Sequence, residues 1–297
     1  MGNDGTIGAS IVLYQSDEKE VKNAVDICLA CEDVRFVYLI DNSPTPSNWE
    51  WLNHASIIYK FANANLGYGT GHNIALRELV EKVEYSLILN SDVQFDPKIL
   101  SNLRDVLLKN SEISAVGPKI YYDDGKLQHS IKMLPTPLNL IARRFFLFGG
   151  LFPTMHKYAP NFMKLRIKTI WDKLINCHEN IFELLITGYN ERLAVQSVSG
   201  CFVMVRSSSL KEINFFDERY FMYGEDVDLS RRLAEVGSVV FVPEVEIIHS
   251  FRKTSYSDKN LGRHHIQSMI KYFNKWGWVF DPIRSIKNAE LKSKINN

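Results

Sequence analysis

Three carboxylates fall within four residues at Glu225, Asp226 and Asp228, behind the aromatic-rich approach Phe216 to Tyr223 and just ahead of Arg231 and Arg232. Acids in the first turn of a helix favour its dipole, so one or two of them could be caps. Capping does not use all three. The set has the makings of a general base, held by ion pairs, beside a bound acceptor. On a helix starting near Glu225 the acids point about 100° apart per residue, so they cannot all face one ligand. Asp228 stands four residues before Arg232, the spacing of an i, i+4 ion pair, which suits an orienting acid. Glu225, beside Gly224, is placed to hold acceptor hydroxyls, and Asp226 competes with it for the role of base.

Asn90-Ser91-Asp92 follows the apolar run Tyr85 to Leu89. Residues i and i+2 of an extended segment point the same way. Asn90 and Asp92 should therefore face one ligand, and a carboxylate beside an amide suits a hard divalent cation that also holds phosphate oxygens. A helix cap or turn is the structural alternative. Asn63 to Asn73 spaces Gly67, Gly69 and Gly71 at alternate positions before a helix, with Asn65 among them. Glycines let backbone N–H groups approach an anion, and the helix N-terminus adds partial positive charge. The spacing is neither the dinucleotide fingerprint nor a P-loop. His249 ends the run Val245 to Ile248, where imidazole could ligate a Mn-type ion. Arg252 and Lys253 follow it and suit phosphate oxygens.

These residues need elements that bring them together. Strand-like segments at Ile7 to Tyr14, Val34 to Ile40, Ile57 to Lys60 and Ser86 to Leu89 alternate with helical periodicity at Glu18 to Ala30 and Thr70 to Lys82. That order predicts a largely parallel sheet whose carboxyl ends gather a ligand site. Asp96 and Pro97 open a helix to Lys109. Strands are predicted over Ile113 to Tyr122, Ser197 to Val205, Ser238 to Val242 and Val245 to His249, with helices over Glu225 to Val236 and His264 to Trp276. Between residues 127 and 190 the alternation fails, and a basic, aromatic helical insertion is expected. Residues 256–297 read as a C-terminal helical extension of a single domain over residues 1–280.

The chain has 297 residues, is 45% hydrophobic and 23% charged, and carries a formal charge of +1. It has material for a sizeable core and is neither disordered nor a disulfide-stapled mini-protein. The neutral balance gives no support to a nucleic-acid binder. Cys28, Cys31, Cys177 and Cys201 lack a second C-x-x-C pair, so they read as buried thiols in a reducing compartment. With no signal-peptide layout at the start, a cytoplasmic location is expected. The longest apolar stretch, Phe145 to Phe152, is far short of the ~18 residues that span a bilayer.

The glycine loop, the strand-end N-S-D, Ser199 to Arg206 (S-G-C-F-V-M-V-R), Phe216 to Arg232 (F-D-E-R-Y-F-M-Y-G-E-D-V-D-L-x-x-R) and the later strand-end His resemble the family 2 inverting glycosyltransferases. The likeness covers roughly residues 5 to 280 and is greatest to bacterial rhamnosyltransferase-like enzymes of O-antigen, capsule and cell-wall assembly. It implies an α/β, Rossmann-like GT-A fold that binds a nucleoside diphosphate sugar, dTDP-rhamnose or a UDP-hexose, with Mg or Mn. Asp92 and His249 would hold the metal; the first acid of the family's D-x-D is here Asn90. Tyr14, Asp41, Asn65, Gly67, Gly71, Asn73, Asn90, Ser91, Arg252 and Lys253 would hold the donor, with Asp41 at the nucleobase. Asp226 matches the family's base, and Glu225, Asp228 and Arg232 would bind or orient a saccharide acceptor. The Q-x-x-R-W motif of processive synthases is missing, which implies transfer of one or a few sugars.

Two rivals differ in class. A nucleotidyltransferase shares the sheet, glycine loop and acids but should carry a basic glycine-rich signature early, where this chain has Thr6 to Ser16. A non-catalytic sugar-binding relic is motivated by Asn90. Peripheral docking to lipid-linked acceptors is suggested by Arg143 to Trp171 and by Ile266, Met269, Ile270, Tyr272, Phe273 and Trp276, with packing in a core or dimer interface as the alternative.

Overall fold

The computed structural model describes residues 5–128, 131–137, 189–250 and 259–296. Strand β1 (Ile7–Leu13) leads through helix α1 (Glu18–Leu29) to β2 (Val34–Asp41) and β3 (Ile57–Phe61), and α2 (Tyr68–Leu79) returns the chain to β4 (Tyr85–Leu89). After β5 (Val93–Gln94) come α3 (Lys98–Lys109), β6 (Ile113–Tyr121), β7 (Ile131–Lys132), β8 (Leu193–Ala194), β9 (Ser197–Val198) and β10 (Phe202–Arg206). Helices α4 (Ser207–Glu212) and α5 (Glu225–Val236), strand β11 (Ser238–His249), and helices α6 (Lys259–Trp276) and α7 (Pro282–Asn296) complete it.

The main sheet runs β3-β2-β1-β4-β10-β6-β11-β5, with β8 on β11. β1, β2, β3 and β4 are mutually parallel, β10 runs against β4 and β6, and β11 is parallel to β6. One antiparallel strand thus separates two parallel groups pointing the same way, so Tyr14, Asp41, Asn90 and His249 all emerge at one edge. The order reverses at β1 and β4, the switch point where open α/β sheets bind ligands.

Alternate strand residues feed two apolar layers. Ile7, Ala9, Ile11 and Leu13 pack with α1 and α3, while Tyr38, Ile40, Ile88 and Val203 pack with α2, α4 and α5. Asp17 caps α1 through Lys19 and Glu20 N–H, and Asp96 accepts from Lys98 N–H.

Several expectations are refined here. The stretch Ser197 to Val205 is two strands broken at Gly200, because β9 leaves the main sheet to pair with β7. The two strands predicted on either side of Pro243 are one, β11, with a register irregularity between Val242 and Glu246. Within the expected helical insertion, Ile131 and Lys132 are extended, while residues 138–188 lie outside the described residues. Cys28, Cys31 and Cys201 are buried and free, and Cys177 lies outside the described residues. Of the stripe on α6 read as membrane-facing, Met269, Tyr272 and Phe273 are core, clustered with Leu134, Tyr220 and Val227. Arg143 to Trp171 lie outside the described residues. No described helix is long and apolar enough to cross a membrane.

Candidate active site

The strand ends open onto a cleft of about 520 Å3 with Tyr14, Asn42 and Asn65 on one side and Asn90, Ser91 and Asp92 on the other. β5 pairs with the end of β11, setting His249 opposite Val93. This brings His249 Nε2 within 3.3 Å of Asp92 Oδ1 and 3.4 Å of Asn90 Nδ2. Ser91 and Asp92 form a turn between β4 and β5 and do not continue the strand, so it is this turn, not strand alternation, that brings Asn90 and Asp92 to one ring nitrogen.

The ring's tautomer follows from its other side. Gln128 Nε2 donates to the His249 carbonyl at 2.6 Å, which turns Gln128 Oε1 toward His249 Nδ1 at 3.1 Å. Nδ1 therefore carries one proton, and Nε2 faces the Asp92 carboxylate. With a second proton Nε2 donates to Asp92, and a divalent cation would take that proton's place. Burial opposes charge on the ring, but Asp92 and Cys201 outweigh it and raise the His249 pKa to about 10. Burial also opposes ionisation of Asp92, yet His249 holds its carboxyl below the ordinary range. A carboxylate and an imidazole whose Nδ1 is fixed by Gln128 are a donor pair that would suit a divalent ion. Among the described residues no group of three or more His, Cys, Asp or Glu side chains converges as a metal cluster. Asn90 Oδ1 is engaged elsewhere, with the Tyr68 hydroxyl 2.9 Å from it.

The glycine loop does something other than cradle an anion through all its N–H groups. Gly67 N–H donates to Asn65 Oδ1, Tyr68 N–H to the Phe221 carbonyl and Gly71 N–H to the Gly67 carbonyl. Gly67 sits at φ +83°, and a Cβ there would lie 2.2 Å from the Phe221 carbonyl oxygen. Gly69 lets α2 approach Phe216, which seats the 216–221 loop, and Gly71 lets it approach Val12 of β1 and Asn42. Asn73 completes that seam: it exchanges hydrogen bonds with the Phe216 backbone and donates to Glu218, and it is fully buried away from the cleft. Asp41 is buried too. Its carboxylate accepts from Ser43 N–H, Ser47 N–H, Ser47 Oγ and Tyr59 Oη. Burial works against its charge, but these donors hold its pKa below the ordinary range. It shapes the loop after β2, and the neighbouring Asn42 lines the cleft instead.

Gly224, at φ +85°, starts α5 and separates the fates of its acids. Asp228 is fully buried and takes Arg232 Nε at 2.8 Å, Lys275 Nζ at 2.7 Å and Trp276 Nε1 at 2.8 Å. Arg232 also donates to the carbonyls of Ile213 and Phe215. Both therefore hold α5, α6 and the preceding loop together. Asp226 takes Lys132 Nζ at 2.7 Å on Oδ2 and Val227 N–H on Oδ1. Burial resists its ionisation, but Lys132 wins and the pKa is lowered. Glu225 is buried with Oε2 unpartnered, and burial together with Asp226 raises its pKa. The pair divides into one ionised and one proton-holding acid.

Tyr68 links the two halves. Its hydroxyl also lies 2.7 Å from the Gly200 carbonyl, and a Cβ on Gly200 would stand 3.0 Å from that of Asp226. Tyr68 thus lies between the Asp92–His249 pair and the carboxylates of α5. Sequence reasoning passed over Tyr68, Lys132, Gln128 and Asn42. An aromatic between two helix-opening glycines was a usable signal for Tyr68. Lys132 lies 94 positions from Asp226 and Gln128 121 from His249, with no local mark. Arg252 and Lys253 lie outside the described residues.

No family model matches the chain. It is 28% identical over 279 residues to N-acetylglucosaminyl-diphospho-decaprenol L-rhamnosyltransferase of Mycobacterium tuberculosis, covering 87% of this chain and 81% of that one. To rhamnosyltransferase WbbL of Escherichia coli it is 24% identical over 271 residues, covering 88% and 90%. The fold is similar to the crystal structure of GalNAc-T7 with UDP, GalNAc and Mn2+, at a TM-score of 0.55 and 14% identity over 83% of this chain and 43% of that one. Sheet order, strand-end cleft and rhamnosyltransferase relatives agree: the chain is a glycosyltransferase of the GT-A fold, similar in sequence to rhamnosyltransferases.

Proposed function

We propose that the protein transfers rhamnose or another hexose, with inversion, from a nucleoside diphosphate sugar to a saccharide carried on a lipid, in the building of a bacterial surface polysaccharide. The nucleotide would be dTDP or UDP. The decaprenol-linked substrate named for the mycobacterial relative supports a lipid-linked acceptor. The observation that carries the reading is the Tyr68 and Gly200 link, which sets an ionised, lysine-paired Asp226 beside the strand-end pair Asp92 and His249.

The donor would lie in the cleft, with its nucleoside end toward Tyr14, Asn42 and Asn65 and its diphosphate toward Asn90, Ser91 and Asp92. Asp92 and His249 would hold Mg or Mn, which when bound offsets charge that builds on the departing diphosphate. Asp226 takes the proton of an acceptor hydroxyl as its oxygen bonds to the sugar C1 and the C1–O bond to the diphosphate breaks. One displacement from the opposite face inverts that centre. Lys132 keeps Asp226 ionised at rest, and Glu225, with a free buried oxygen, is placed to bond an acceptor hydroxyl. Arg252 and Lys253 are assigned to the diphosphate by sequence alone.

General-base catalysis is worth ~10² to 10⁴ in rate. Asp226→Asn should lower turnover at least about a hundredfold while leaving nucleoside diphosphate affinity within about twofold. A loss below about tenfold, with Glu225→Gln falling further, would move the role to Glu225. A thermal-shift screen of nucleoside diphosphate sugars with Mn identifies the donor, since selective binding raises apparent stability by mass action.

A further inference from the structure

The turn joining α6 and α7 carries apolar side chains into solvent. Val279 is 94% and Phe280 85% exposed, and Trp278, Ile283 and Ile286 are each about half exposed. Isolated exposed leucines or valines are ordinary, but a contiguous apolar tip is the mark of an interaction surface. The tip is rigidly mounted. Arg231 makes a bidentate pair with Asp281, at 2.8 and 2.9 Å, and Trp278 packs on Phe273 while donating to Asn274 at 2.8 Å. A firm scaffold thus holds Val279 and Phe280 almost wholly in solvent.

The exposed row continues along α6. Ile266, Ile270 and Asn274 follow one another at i, i+4 spacing and lead to Trp278, with Arg263 and Lys271 exposed beside them. Two residues before the start of this row, on the opposite face of α6, His264 lies against Phe221 with ring centroids 4.4 Å apart, and both line the cleft. The rise of a helix puts the tip ~18 Å from the cleft mouth. Charge is just as uneven. Residues 259–296 hold eight Lys and Arg against two acids, in a chain whose total is only +1; Lys275 and Arg284 are taken up by Asp217, Asp228 and Asp281 within the fold and Lys287 pairs with Glu290, which leaves Arg263 and Lys271 as the exposed cations beside the row.

An apolar tip, a row of exposed isoleucines and a Trp, and a cationic surround are the components of an interfacial membrane anchor. We propose that the α6–α7 hairpin docks on an anionic bilayer, with Val279 and Phe280 entering the acyl boundary, Trp278 at headgroup level and Arg263 and Lys271 against lipid phosphates. Cations near such a surface attract it over about a Debye length, which suits reversible attachment. The same geometry brings the cleft mouth to acceptors held in that bilayer. This last step rests on the lipid-linked acceptor proposed above, whereas binding to the bilayer does not.

The test is flotation of the full chain with vesicles of phosphatidylcholine alone or with phosphatidylglycerol at about one lipid in three. Wild type should float with the anionic vesicles at low salt and lose at least about tenfold in bound fraction on neutral ones or in 0.5 M salt. Val279→Asp with Phe280→Asp should lose at least about tenfold on anionic vesicles, with the melting temperature and nucleoside diphosphate binding kept. The milder pair Val279→Ser and Phe280→Ser serves if the aspartates impair folding. Wild type that stays in the soluble fraction, or a tip variant that floats equally well, overturns the proposal. So does a concentration-dependent dimer that the tip variant abolishes without vesicle binding, since the tip would then be a contact between copies. An enzyme that glycosylates a water-soluble acceptor yet never floats keeps the catalytic reading and loses this one.

Discussion

Lys132 offers a direct test of how Asp226 is prepared for proton transfer. Its ammonium lies 2.7 Å from Asp226 Oδ2, and the two side chains are 38% and 13% exposed. Two unit charges ~4 Å apart attract by ~4 kcal/mol at an effective dielectric of ~20. Lys132 is more than a third exposed, so screening reduces what it supplies to about 1 to 1.5 kcal/mol. Replacing it with methionine keeps the stem and removes the charge. Burial is then opposed only by backbone hydrogen bonds such as that from Val227 N–H, and the Asp226 pKa rises.

A base with a raised pKa is protonated at a higher pH, so the rate is lost earlier as the solution is acidified. The acid limb of kcat/KM against pH should move to higher pH in Lys132→Met. Well above that limb the rate should stay within about threefold of wild type. Lys132→Arg should keep the limb in place, which separates charge from packing. A limb that does not move in a Lys132→Met protein of unchanged melting temperature would refute the reasoning. It would mean that Asp226 is ionised without Lys132, or that the limb belongs to another group.

Other substitutions probe the rest of the architecture. Asp92→Ala and His249→Ala should each weaken nucleoside diphosphate binding at least about tenfold with Mn present and abolish the difference between Mn and chelator, read by calorimetric titration. Gly67→Ala places a Cβ 2.2 Å from the Phe221 carbonyl at a φ of +83°; it should cost about 1 to 3 kcal/mol, seen as a lowered denaturation midpoint. Asp41→Asn discards a carboxylate that accepts four hydrogen bonds and should cost about 3 kcal/mol at pH 7. Because the folded pKa of Asp41 lies below its unfolded one, the gap to wild type should be full above about pH 4 and close as pH falls through the folded value. A gap that stays constant from pH 7 to pH 3 would contradict that assignment.

Periodicity and local chemistry made much of the first hundred residues legible. Alternating apolar strands and amphipathic helices have few ways to bury their faces other than in a parallel sheet, and such a sheet sends its polar strand ends to one edge. Asn90, Asp92 and His249 were readable as strand-end residues for that reason. The pairing of Asp228 with Arg232 was readable from helical spacing alone.

Tertiary structure decided which of these polar residues face the ligand and which are consumed by the fold. Asp41 and Asn73 have the residue types of a binding site, yet their hydrogen-bond capacity is taken up by the 42–47 and 216–218 segments. The glycines read as an anion cradle also make room for a loop 150 residues away. The ion pair of Asp226 with Lys132 and the orientation of His249 by Gln128 depend on contacts between distant segments. The sequence by itself determined the class of fold and the edge where chemistry gathers, because burial patterns repeat at helix and strand periods. Ionisation and access, in contrast, are set by the few ångströms separating groups that only the folded chain brings together.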